Sequence, residues 1–191
     1  MKLRILIALL ALSCAIYQGS ARAEKAATPQ EEILSNLEKS LPSEPKERFF
    51  KLSEVAAAAF DAGDYDKAET YANELLSAAS NYRTNWNYGN AVYSGNLILG
   101  RVALKRDNNV SQAESYLLAA GKTPGSPQLD SFGPSMTLAK EMLLAGERDA
   151  VVDFLDECGN FWKTGADTLN DWKKTIRNGD TPNFGSNLNY H

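Results

Sequence analysis

Apolar residues along this chain recur at intervals of three and four, the spacing that lines one face of a helix. Ile33, Leu34 and Leu37 make such a face, and Ala68, Tyr71, Ala72, Leu75 and Leu76 make a longer one. Ala113, Tyr116, Leu117 and Ala120 follow, then Val151, Phe154, Leu155 and Cys158, then Leu169, Trp172 and Ile176. No convincing run of alternating β-branched residues appears, so the pattern predicts an all-α chain. Start and stop signals bracket the faces. Thr28, Pro29 and Glu31 combine a cap, a first-turn proline and a carboxylate that can bond back to the cap. Ser43, Glu44 and Pro45 begin a second helix that crosses an alanine-rich stretch to Ala62 and stops at Gly63.

The segment Gly63-Asp64-Tyr65-Asp66-Lys67-Ala68 turns the chain into the next helix. Two helix axes approach closely only where side chains are small, which places Ala56 and Ala68 at the contact of a hairpin. Here the chain resembles the tetratricopeptide repeat. That family has a small residue midway along its first helix, Gly-x-Tyr at the turn, and Ala with an aromatic in its second helix. A second copy has Leu99-Gly100 at the small position and a turn at Asp107-Asn108-Asn109, with Asn109 and Gln112 as a candidate capping box. A third has Leu138-Ala139, Gly146 at the turn, and Cys158 where the repeat expects a buried Ala. Ala68 to Ala113 is 45 residues and Ala113 to Val151 is 38, against a usual period of about 34. The excess is assigned to a lengthened helix after Asn81 and to a loop over residues 121–134. The resemblance implies stacked antiparallel helical hairpins, a TPR-like α-solenoid of about three repeats over residues 45–160. An N-terminal helix and connection (24–44) precede it. A capping helix and C-terminal tail (161–191) cover the last hairpin, whose core face would otherwise be open.

The first 23 residues read differently. Lys2 and Arg4 lead into an apolar run over residues 5–16, followed by Ala21-Arg22-Ala23. This is the layout of a secretory signal peptide, and the run is too short for a membrane span. The expectation is cleavage after Ala23 and a periplasmic or secreted protein with no integral membrane segment once the signal is removed. Losing Lys2, Arg4 and Arg22 takes the formal charge from −4 to −7. Such a balance repels phosphate backbones and argues against a nucleic-acid partner. Cys14 leaves with the signal, so Cys158 is left without a disulfide partner and reads as a buried small hydrophobe.

Catalytic chemistry finds little to work with. The sole histidine is His191, which disfavours a Ser-His or Cys-His nucleophile and a His/Cys metal cluster. No phosphate-binding or dinucleotide glycine motif occurs, so no cofactor is expected. An enzyme working through paired carboxylates is a minor third class. Three features are candidates for binding. The first helix of each tetratricopeptide hairpin lines a concave groove, and mapping its inward positions gives Phe50, Ser53, Ala57 and Phe60, then Leu97, Arg101, Leu104 and Lys105, then Met136, Lys140 and Leu143. Arg101, Lys105 and Lys140 would make a basic patch able to hold a carboxylate. The second feature is the aromatic and amide-rich stretch holding Trp86 and Tyr88, with Tyr93 beyond it. The third is the loop over residues 121–134, which carries Phe132 among three prolines. The leading expectation is a non-enzymatic scaffold that binds a protein or peptide through its concave surface. The alternative is a small-ligand protein, for a sugar as an example, using the aromatics near Trp86. Apolar surface left open in the groove favours the first, and a closed pocket against Trp86 favours the second.

Overall fold

The computed structural model describes residues 26–189. The expected signal peptide and its cleavage point, with Tyr190 and His191, lie outside them. Among the described residues there are nine α-helices and no strand, and no helix is long and apolar enough to cross a membrane.

Helix α1 (Pro29–Ser40) opens with the expected capping box, in which the Glu31 N–H and the Thr28 N–H each bond to the other residue's side chain. Helix α2 (Pro45–Asp61) is capped by Glu44, and the chain turns at Gly63 with φ +78°. Helix α3 (Tyr65–Ala79) follows, capped by Asp64. Ala56 and Ala68 are both fully buried where α2 and α3 pack. The Arg48 guanidinium spans the same pair, donating to Glu74 at 2.8 Å.

The lengthened helix expected after Asn81 does not form as one piece. A 3-10 turn, Ser80–Tyr82, ends α3, and helix α4 (Tyr88–Lys105) begins only after a series of turns. Asn85 Oδ1 accepts the Asn87 N–H at 2.9 Å, and such local side-chain bonds compete with helical ones. Helix α5 (Val110–Gly121) follows a turn in which Asn108 takes the left-handed conformation, φ 49°. Asn tolerates that region, which is how the turn manages without glycine. Asn109 accepts from the Gln112 N–H as its cap.

Residues 121–134 are not merely a loop. Ser126 caps a short helix, α6 (Pro127–Phe132). Helices α7 (Thr137–Leu144) and α8 (Arg148–Cys158) make the next pair, and α9 (Ala166–Arg177) buries Leu169, Trp172 and Ile176 against α8. Each helix of the middle of the chain packs on its successor, α2 on α3, α3 on α4 and α4 on α5, while α5 packs on α8 and α4 reaches α2 and α7. Gly100 lies where α4, α5 and α7 meet: a β-carbon there would fall 2.4 Å from a Leu138 methyl and 3.2 Å from Tyr116 Cβ. Of the positions mapped to a concave wall, Ala57, Phe60, Leu97, Met136 and Leu143 are instead buried in the core. Each large side chain among them contributes about 1.5–3 kcal/mol by leaving water.

Candidate binding cleft

A cleft of about 530 Å³ opens between α2, α4, α6 and the C-terminal tail. Phe50 and Ser53 come from α2. The start of α4 supplies Asn87, Asn90, Ala91, Tyr93 and Ser94. Gln128, Leu129 and Phe132 come from α6, followed by Gly133 and Ser135, while Ser186 and Asn189 close the tail side. None of these residues is charged, although charged residues make up 23% of the chain. The lining therefore offers hydrogen bonds and apolar contact but no charged side chain.

Its walls are held by side chains that bond to backbone. Thr123 Oγ1 donates to the Gly89 carbonyl at 2.7 Å, tying the start of the 121–134 segment to α4. Tyr93, only 2% exposed, donates its hydroxyl to the Ser135 carbonyl at 2.5 Å. Asn187 donates to the carbonyls of Phe132 and Pro134, at 3.1 and 2.9 Å, while its own carbonyl accepts from the Met136 N–H at 2.7 Å. The tail is thus a strap across residues 132–136, itself seated by Phe184 edge-on to Trp172. Gly133, at φ +81°, lets the chain cross the Trp162 ring, where a β-carbon would come within 2.6 Å of the indole. Three anchors fix a segment that sequence alone reads as a loop.

One wall carries a row of polar side chains. Ser126 donates its hydroxyl to Asn90 Oδ1. Asn90 Nδ2 donates to Asn87 Oδ1 at 3.0 Å and to Gln128 Oε1 at 3.1 Å. Large apolar side chains stand beside this row. Phe132 is 69% exposed, and Trp86, 53% exposed, stacks on Phe50 at 5.7 Å between ring centroids. Phe50 and Ser53 also border a second groove, on the α1 side of α2, where Ile33 is 54% exposed.

The basic patch expected from Arg101, Lys105 and Lys140 is not an open cationic wall. Arg101 lies with its guanidinium carbon 4.1 Å from the Phe60 ring centroid and pairs with Glu141 at 3.3 Å. Lys105 reaches the same carboxylate at 3.9 Å. Glu141 comes from α7, so only the tertiary packing brings it to Arg101. Lys140 is exposed, and among the described residues no ion pair holds it. The three aromatics expected to cooperate go to different places. Tyr93 is in the cleft wall, Tyr88 packs with Phe49, Leu52 and Leu75, and Trp86 caps Phe50 outside the cleft.

Burial pushes the Cys158 thiol well above its ordinary range, and among the described residues no group of His, Cys, Asp and Glu side chains is placed to hold a metal ion. Glu38, on α1, accepts from Lys67 and Tyr71 of α3 at 2.9 and 2.8 Å.

The members that sequence reasoning passed over are Asn90, Gln128 and the seat of Phe132. A signal for the last was present, because Ser126-Pro127 is the same cap-and-proline start that marks α1. Comparison with known proteins adds no relative: no protein-family model, curated protein or solved structure matches the chain.

Proposed function

We propose that this chain is an exported, non-catalytic binding module built of tetratricopeptide-like hairpins, which takes up a segment of a protein or peptide partner in the cleft between α2, α4 and α6. The observation that carries the reading is the placement of open apolar side chains. Phe132 and Phe50 line the cleft, Trp86 stacks on Phe50 outside it, and Ile33 borders a second groove that shares Phe50 and Ser53 with the first. Apolar side chains spaced along a trough, with amides and hydroxyls between them, suit a chain that alternates side chains with main-chain polar groups. The helices that supply the wall, α2 and α4, are the first helices of their hairpins, which fits the concave side of such an array. The leader-like residues 1–23 support export to the periplasm or the medium.

The test is selection of peptides displayed on phage against the intact chain, run in parallel with a panel of neutral oligosaccharides. Enrichment of uncharged, apolar-containing peptides that is lost with Phe132→Ser is the expected result. Retention of an oligosaccharide with no peptide enriched would overturn the reading in favour of a small-ligand site.

A further inference from the structure

Beyond Gly179 the described chain forms no α-helix, only the 3-10 turn Gly185–Leu188. Arg148 holds the start of this strap by donating to the Asp180 carbonyl at 2.9 Å. Phe184, 2% exposed, is its buried aromatic, set edge-on to Trp172 at 5.0 Å between ring centroids. Asn187 makes the hydrogen bonds to residues 132–136. Ordering a backbone costs conformational entropy at every residue. Here one buried ring and the bonds of one asparagine offset much of that cost, whereas α4 buries eleven of its residues. A segment with few buried apolar contacts opens at a lower free energy than the core it covers.

Both attachments converge on the outer wall of the cleft. Asn187 satisfies the Phe132 and Pro134 carbonyls and accepts the Met136 N–H. Phe184 backs Trp172, Trp172 lies 5.7 Å from Trp162, and the Trp162 ring is what Gly133 crosses. Phe132 is 69% exposed, so its place is set by this backbone rather than by burial of its own ring. Lifting the strap unpairs three backbone groups of the wall and removes Ser186 and Asn189 from the lining.

We propose that residues 180–189 are a latch, which opens as a unit while the helical array stays folded, and that the cleft binds its ligand only while the latch is closed. This rests on the reading of the cleft as the binding site and adds what regulates it. Asn187 and Phe184 are positioning residues for Phe132 and the wall around it.

The test is residue-resolved hydrogen exchange on the intact chain. The Met136 N–H bonds to the latch and reports its opening, whereas the N–H of Leu97, buried within α4, reports the array. Urea below the unfolding midpoint speeds an opening in proportion to the surface it exposes. Leu97 exchange should therefore rise steeply with urea and Met136 exchange only slightly. Asn187→Ala should speed Met136 exchange at least tenfold. Phe184→Leu, which removes no bond to Met136, should speed it several-fold, with helical content unchanged by circular dichroism. The ligand is the peptide enriched in the phage selection, or the oligosaccharide if the chain retains that instead. At ten times its Kd it should slow Met136 exchange about tenfold, because it binds only the closed state. Parallel rises of Met136 and Leu97 in urea, or wild-type Met136 exchange in Phe184→Leu, would overturn the latch. A ligand that depends on Phe132 and slows Leu97 but not Met136 would overturn the coupling and leave the cleft reading standing. If no ligand depends on Phe132, the cleft reading falls and the coupling with it.

Discussion

The Arg101 guanidinium on α4 meets the Glu141 carboxylate on α7 at 3.3 Å, with the two side chains only 13% and 17% exposed. The guanidinium also lies over the Phe60 ring of α2, so Arg101 ties three helices together. Removing Glu141 takes a carboxylate from a guanidinium in a poorly solvated place, which costs about 1–3 kcal/mol. Glu141→Ala is accordingly expected to lower the urea midpoint clearly. Lys105→Ala, which removes a half-exposed ammonium 3.9 Å from the same carboxylate, should change stability by less than about 1 kcal/mol. Equal midpoints for the two variants would refute the ranking.

Cys158 is fully buried on α8, and burial raises its thiol well above the ordinary range, with Glu157 adding to the effect. The thiolate is the reactive form. In protein lacking residues 1–23, and Cys14 with them, the native state should therefore fail to react with a thiol reagent at neutral pH, while the denatured state reacts at once. Stoichiometric labelling of the folded chain would mean that α8 opens or is packed differently.

The link between α1 and α3 should make stability depend on pH on the acid side. The Lys67 hydrogen bond holds the Glu38 carboxyl below its ordinary value, with the Tyr71 hydroxyl acting in the same direction and burial against it. The folded state then binds protons less readily than the unfolded one. The stabilisation is complete above the ordinary glutamate range and is lost as pH falls through the lowered value. Thermal midpoints should drop below about pH 5, near and beneath the ordinary glutamate value, and drop less steeply in Glu38→Gln. Identical acid profiles for the two proteins would remove Glu38 from the account.

Periodicity carried the helices well because their faces are long and unmixed. Leu169, Trp172 and Ile176 are legible as one stripe, and all three are buried. Caps were legible for the same local reason, since Thr28 and Glu31 are three residues apart. What could not be read was whatever depends on distant partners. The spacing of Arg101 and Lys105 reveals a shared face but not that Glu141, forty residues on, would neutralise it. The strap is the extreme case: Asn187 is fifty-five residues from the Phe132 carbonyl it holds, and an isolated Asn in a tail has no periodicity to betray it. The amide row failed to stand out because the stretch holding Asn85 and Asn87 reads as a feature of its aromatics, and nothing local ties Asn90 to it. Only Gln128, brought in by α6, gives Asn90 its second acceptor.

The closest backbone approach in the cleft wall supplies the last prediction. A β-carbon on Gly89, in the first turn of α4, would lie 1.7 Å from the Gly125 carbonyl oxygen. The obstacle is backbone, so no rotamer change relieves it, and Thr123 holds the same approach through its bond to the Gly89 carbonyl. Gly89→Ala must push residues 123–126 away from α4, at a cost of about 1–3 kcal/mol or more. Ser126 belongs to that segment and both caps α6 and orients Asn90, so the shift should also displace Gln128 and Phe132. Gly146→Ala is the matched control. Gly146 sits at the α7–α8 turn with φ +94° and open space around it, so an added methyl group there meets only the penalty of the left-handed backbone, about 1–2 kcal/mol. Both variants should melt earlier than the wild type. Gly89→Ala alone should also weaken binding of a peptide enriched in the phage selection, because only its displaced segment reaches the cleft. Wild-type melting in Gly89→Ala would mean that α4 and the 121–126 segment do not touch as described. Equal loss of peptide binding in both variants would mean that the cleft responds to overall stability rather than to this contact.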